Sequence, residues 1–132
     1  MKRILLTLIM SLSFFSLFGR GQQEEAFKSI DAKAFAVYIQ ANDVTLLDVR
    51  TPEEHAQGFI PGTDFNIDVL NDKFTTQALK LLPKDKPVAL YCRSGNRSKK
   101  AARILSAKGY TVIELGSGFN GWTAAGMKTS KQ

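Results

Sequence analysis

Residues 92–98 read Cys-Arg-Ser-Gly-Asn-Arg-Ser, and Cys92 is the one cysteine in 132 residues. A lone thiol is ordinarily a small buried apolar group. This one stands where an apolar run, Pro87 to Tyr91, gives way to a polar loop and then to helical spacing. A short loop entering a helix N-terminus turns several backbone N–H groups toward one point and favours an anion there. Gly95 lets the backbone curl, Ser94, Asn96 and Ser98 add short polar side chains, and Arg93 and Arg97 add charge. A thiol in such a cradle is biased toward the thiolate. Nucleophile and anion site coincide, which is the requirement for nucleophilic attack on an anionic substrate.

The charge distribution points to the same loop. The chain has 18 Lys+Arg and 12 Asp+Glu, a formal net charge of +6. Arg93, Arg97, Lys99, Lys100, Arg103 and Lys108 fall between Tyr91 and Glu114 with no acidic residue among them. Lys100 and Lys108 read as a solvated helix face, Arg93 and Arg97 as anion-attracting groups. No stacking platform of interleaved aromatics accompanies them, so nucleic acid is not an expected partner. One Cys and one His exclude an internal disulfide and a structural zinc site of four Cys/His ligands. No metal and no other cofactor is expected. A 44% hydrophobic and 23% charged composition excludes a disordered chain and a multi-span membrane protein.

The elements that position the loop follow from periodicity and punctuation. Phe27 to Ile30 predicts a first strand, and Asp31 an N-cap for a helix with Phe35, Val37, Tyr38 and Ile39 as its apolar residues. Val44 to Val49 is nearly continuous in apolar character, as for a strand buried on both faces. Pro52, with Glu53 and Glu54 behind it, starts a short helix. Ile60-Pro61-Gly62 is a turn and Phe65 to Asp68 a brief strand. Asn71 or Asp72 is expected to cap a helix carrying Phe74, Leu79, Leu81 and Leu82, which Pro83 ends. Pro87 to Tyr91 is a strand, Arg97 to Lys108 a helix with Gly109 at C′, Thr111 to Leu115 the last strand, and Asn120 to Ala125 a closing helix. Strands alternating with helices at this spacing predict an α/β fold with a parallel sheet covered on both faces.

The N-terminal residues read differently. Lys2 and Arg3 precede an apolar run from Ile4 to Phe18, followed by Gly19-Arg20-Gly21. A positive start, a short apolar stretch and small residues beyond it are the parts of a secretory signal. The run is shorter than the roughly 20 residues of a membrane-spanning helix. Residues 1–21 are therefore expected to be a cleaved signal peptide and 22–132 one domain, periplasmic or secreted; membrane attachment follows only if the segment stays uncleaved. Without Lys2, Arg3 and Arg20 the remaining residues carry fifteen basic and twelve acidic groups, a net +3.

Three motifs together resemble a single-domain rhodanese, a rhodanese-like sulfurtransferase, here in an exported form. They are Leu46 to His55 followed by Gly58-Phe59-Ile60-Pro61-Gly62, the loop Cys92 to Ser98, and Leu115 to Trp122, in that order. The resemblance implies a three-layer α/β/α fold with a five-stranded parallel sheet. It implies that Cys92 takes a sulfane sulfur from a small anionic donor such as thiosulfate, holds it as a persulfide and yields it to cyanide or to a thiol, either a small molecule or a thioredoxin-like protein. Cys92 is then the catalytic residue; Arg93, Ser94, Gly95, Asn96, Arg97 and Ser98 bind substrate; Asp48 and Arg50, from the first motif, brace the loop. Phe59 stands where the family commonly has His in Gly-His-Ile-Pro-Gly, which leaves no imidazole role there. His55 is expected at the surface.

Rival readings are weaker. Phosphatases and arsenate reductases of related architecture use a longer loop between Cys and Arg; four residues separate Cys92 from Arg97, a tighter pocket suited to a single sulfur. A persulfide carrier or binding module without turnover stays open. Gly116 to Gly121 spells G-x-G-x-x-G, but no acidic residue follows it, so these glycines are read as shaping a turn rather than holding a dinucleotide. Trp122 is read as a core anchor, and the Asn96-Arg97-Ser98 sequon as chance.

Overall fold

Successive residues of the central strands are buried on both sides, and the backbone shows why. The computed structural model describes residues 26–132; the expected signal segment lies outside the described residues. The elements run β1 (Lys28–Ile30), α1 (Ala32–Ala41), β2 (Thr45–Asp48), α2 (Pro52–Gln57), β3 (Phe65–Asn66), α3 (Phe74–Leu81), β4 (Val88–Tyr91), α4 (Asn96–Ala107), β5 (Val112–Leu115) and α5 (Gly118–Ala124). The strands form one sheet in the order β1-β5-β4-β2-β3, with every pair parallel. This is the five-stranded parallel sheet that the resemblance implies.

Because side chains alternate across a strand, each strand serves two cores. Leu47, Val88, Leu90 and Val112 pack with Phe74 and Ala78 of α3 and with Ala101, Ala102 and Leu105 of α4. Leu46, Ala89, Tyr91, Ile113 and Leu115 pack on the opposite face with Phe35 of α1 and Trp122 of α5. Helices on both faces make three layers, with Trp122 as the expected core anchor. The register sets Asp48 beside Tyr91, so β2 and β4 end together and their following loops share one edge of the sheet. Among the described residues, no helix is long and apolar enough to cross a membrane.

Local signals are realised closely in most elements. Asp31 accepts a hydrogen bond from Ala34 N–H at 2.9 Å, capping α1. Tyr110 N–H reaches Leu105 O and Gly109 N–H reaches Ser106 O, closing α4 in a Schellman arrangement with Gly109 at C′. Two expectations change. Val37 is 67% exposed, because it lies two residues, about 200°, around the helix from fully buried Phe35. Neither Asn71 nor Asp72 caps α3: Lys73 holds the N-cap position without a side-chain bond, and Asn71 Oδ1 instead accepts Lys73 N–H at 2.8 Å in the turn before the helix. An Asn closing its own turn competes with capping. The helix stops at Leu81, and Leu82, just before Pro83, is extended, as the proline ring requires.

Candidate active site

Cys92 follows the last residue of β4, and its side chain is enclosed, with 1% of the residue exposed. Its Sγ lies 3.1 Å from Gly95 N–H and 3.3 Å from Ser98 Oγ. Gly95 adopts φ +109, a conformation that side chains rarely take, and this bend aims its N–H back at the sulfur. The loop thus curls around the thiol and runs straight into α4, whose first residue is Asn96.

The glycine-rich turn after β5 clasps the outside of the loop. Phe119 N–H donates to Cys92 O at 2.8 Å and Asn120 N–H to Arg93 O at 3.0 Å, so the first turn of α5 holds two loop carbonyls. Backbone meets backbone there. A Cβ on Gly118 would lie 2.3 Å from Arg93 O, and one on Gly95 would lie 2.3 Å from Gly116 O. The G-x-G-x-x-G spelling is therefore a turn that fits against the Cys92 loop.

Asp48 and Arg50 form a buried ion pair at the end of β2. Arg50 Nε and Nη2 donate to the two Asp48 carboxylate oxygens at 2.9 and 2.7 Å, and Nη2 also reaches Gly58 O at 2.7 Å. The guanidinium sits 4.5 Å above the Phe119 ring, so the ion pair also touches the helix that clasps the loop. Burial opposes its charge, but the hydrogen bonds and charge of Asp48 outweigh that and raise the Arg50 pKa above its ordinary value.

The expectation of a surface His55 is corrected. His55 is buried, its Nδ1–H donates to Asp48 Oδ2 at 2.9 Å, and its ring stacks on Phe59 at 4.3 Å between centroids. The cause is the phase of α2. Thr51 and Glu54 form a capping box with Pro52 at the first turn, and this start turns His55 inward toward Asp48. Phe59, in the position where a His is common, covers the imidazole instead of supplying one.

Arg97 also departs from its expected place. Its two Nη atoms contact the two Glu54 carboxylate oxygens at 2.7 and 2.8 Å. The Arg97 hydrogen bond is the main reason that the Glu54 pKa falls to about 2, and Glu54 in turn raises that of Arg97. Its charge thus ties α4 to α2 and is committed to a carboxylate rather than held out to an anion. Arg93 is the exposed loop cation. It lines a cleft of about 230 Å³ with Arg50, Glu54, Gly58, Phe119 and Asn120. Ser94 and Asn96 are exposed as well, while Gly95 and Ser98 are buried beneath them.

The rhodanese-like domain family matches residues 31–125, a span that contains all of these groups. The chain belongs to the rhodanese-like domain family. It is 40% identical over 88 residues to a sulfurtransferase of Allochromatium vinosum, covering 64% of this chain and 77% of that protein. It is 29% identical over 101 residues to a thiosulfate sulfurtransferase of Pseudoalteromonas translucida, covering 76% of this chain and 92% of that one. Among solved structures, a rhodanese-related protein from Thermoplasma volcanium superimposes with a TM-score of 0.69 at 31% identity, over 80% of this chain and 100% of the other.

In this rhodanese-like domain one buried group escaped the sequence reading. Glu114 lies in β5, is 0% exposed, and accepts hydrogen bonds from the hydroxyls of Ser98 and Ser29 and from Lys99 Nζ at 3.3 Å. The signal was present: a carboxylate inside Val-Ile-Glu-Leu, a strand buried on both faces, must have polar partners. Among the described residues, no group of three or more His, Cys, Asp or Glu side chains is placed to hold a metal ion.

Proposed function

We propose that this protein moves a sulfane sulfur from a small anionic donor, such as thiosulfate, to a thiol or to cyanide through a persulfide on Cys92. The observation that carries this reading is the placement of Cys92 Sγ against Gly95 N–H and Ser98 Oγ at the entry to α4. Membership of the family, with relatives named as sulfurtransferases, supports sulfurtransferase activity in general. In the first half-reaction the Cys92 thiolate attacks the outer sulfur of thiosulfate. A new S–S bond forms, the old one breaks, and sulfite leaves with its electron pair. Arg93, at the cleft, raises the local concentration of the anion. Gly95 N–H faces the charged sulfur as a fixed donor, needing no reorganisation when charge moves. In the second half-reaction a thiolate takes the terminal sulfur. The acceptor is a small thiol or a thioredoxin-like protein.

The experiment is single-turnover loading. Thiosulfate should add the mass of one sulfur to the purified protein, and Cys92→Ser should lose both this gain and thiocyanate formation from cyanide. An undiminished transfer rate in Cys92→Ser would sink the mechanism. Residues 1–21 are proposed to direct export, on their composition. N-terminal sequencing of protein recovered outside the cytoplasm should begin near residue 22, and retention of full-length protein in the cytoplasm would overturn that proposal.

A further inference from the structure

Glu114 is a fully buried carboxylate for which the reaction as described has no use. Parallel pairing with Leu90 brings it alongside β4, next to the loop that Cys92 opens. The Ser98 hydroxyl donates to Glu114 Oε2, and Ser98 Oγ accepts from the Cys92 thiol at 3.3 Å. Thiol, hydroxyl and carboxylate therefore form one continuous hydrogen-bonded chain. None of the three is open to water: Cys92 is 1% exposed, Ser98 and Glu114 0%. The groups facing Glu114 are Ser29 from β1 and Ser98 and Lys99 from α4. Lys99 Nζ, on a side chain 37% exposed, stands 3.3 Å from Glu114 Oε2 and remains a donor to that oxygen in either protonation state. Arg97 also bears electrostatically on Cys92, but Glu54 holds its guanidinium.

We propose that Glu114 stores the proton of the Cys92 thiol, acting through Ser98. The proposal rests on the sulfur-transfer reading of Cys92. On activation the thiol proton passes to Ser98 Oγ while the Ser98 proton passes to Glu114 Oε2. The products are a thiolate and a neutral carboxylic acid, with Ser98 now donating to the sulfur. No net charge is created in the enclosed site, which is why a low-dielectric setting tolerates the step. After sulfur has been loaded, an acceptor thiolate attacks the terminal sulfur. Cys92 Sγ leaves with the bonding pair and regains its proton from Glu114 by the reverse path. Ser98 touches the reacting sulfur and is the catalytic hydroxyl; Glu114, acting through it, is a positioning residue.

The test reads the thiol without turnover, as the rate of Cys92 alkylation by iodoacetamide against pH. Two groups that share one proton titrate as a pair. The wild type should therefore rise in two steps with a plateau of partial rate between them. Glu114→Gln keeps the size and an acceptor for Ser98 but stores no proton, and should show one step. A single step in the wild type, or two steps in both proteins, would overturn the proposal. Should Glu114→Gln not fold, the infrared spectrum of the wild type at plateau pH decides. It should contain both the S–H stretch and the stretch of a protonated carboxyl group, and absence of the latter overturns the proposal. Failure of thiosulfate to load sulfur would instead refute the sulfur-transfer reading, and the alkylation profile is independent of it.

Discussion

Arg97 and Glu54 face each other across the join between α4 and α2, with paired contacts of 2.7 and 2.8 Å. Glu54 also accepts from Thr51 N–H at 3.1 Å, so the same carboxylate caps α2 and anchors the helix that carries the loop. The pair is partly exposed, with side chains 22% and 24% accessible. Arg97→Ala should therefore cost on the order of 1 kcal/mol at neutral pH. The Glu54 pKa is lowered in the folded state from an ordinary 4.5 to about 2. Its contribution is thus fully present above about pH 4.5 and is lost as pH falls through about 2. Urea denaturation across that window should show the wild type losing more stability than Arg97→Ala, and parallel curves would refute the assignment.

Arg93 is the exposed cation at the cleft, and the role proposed for it is electrostatic. Arg93→Ala should raise the KM for thiosulfate several-fold with a smaller change in kcat. The difference from wild type should shrink as salt is added, since added ions screen an exposed charge. Steady-state kinetics at two ionic strengths check this, and a KM that does not change would assign anion capture to the backbone.

Gly118 cannot carry a side chain without moving the loop. It has φ +67, and a Cβ would stand 2.3 Å from Arg93 O. Gly118→Ala should cost about 1–3 kcal/mol. It should also slow sulfur loading at Cys92, because the carbonyls held by α5 would shift. Gly62→Ala is the control: Gly62 also has positive φ, but nothing lies within 4 Å of the added Cβ. It should lower stability and leave loading intact.

Asp48→Asn removes the carboxylate that Arg50 and His55 share. Leaving a buried guanidinium without its partner should cost about 3–5 kcal/mol. Chemical denaturation measures the loss. A cost below 1 kcal/mol would mean that water reaches Arg50 and that the brace is dispensable.

The sequence by itself determined the order of elements, the both-face burial of the strands and the loop that begins at Cys92. Those features depend on neighbours within a few residues. Asp31 caps the helix that begins beside it, Gly95 bends the loop that contains it, and Val44 to Val49 is nearly continuous in apolar character. Tertiary structure decided where the charges go. Arg97 meets Glu54 across 43 residues of chain, and Ser29 meets Glu114 across 85. The order β1-β5-β4-β2-β3 makes these contacts by setting strands side by side that are not consecutive in the chain. His55 turned inward for a related reason: the capping box fixes the phase of α2, but only the packed end of β2 supplies the carboxylate it meets. Ion pairs and buried polar chains need two partners at contact distance, and only the assembled sheet brings those partners together.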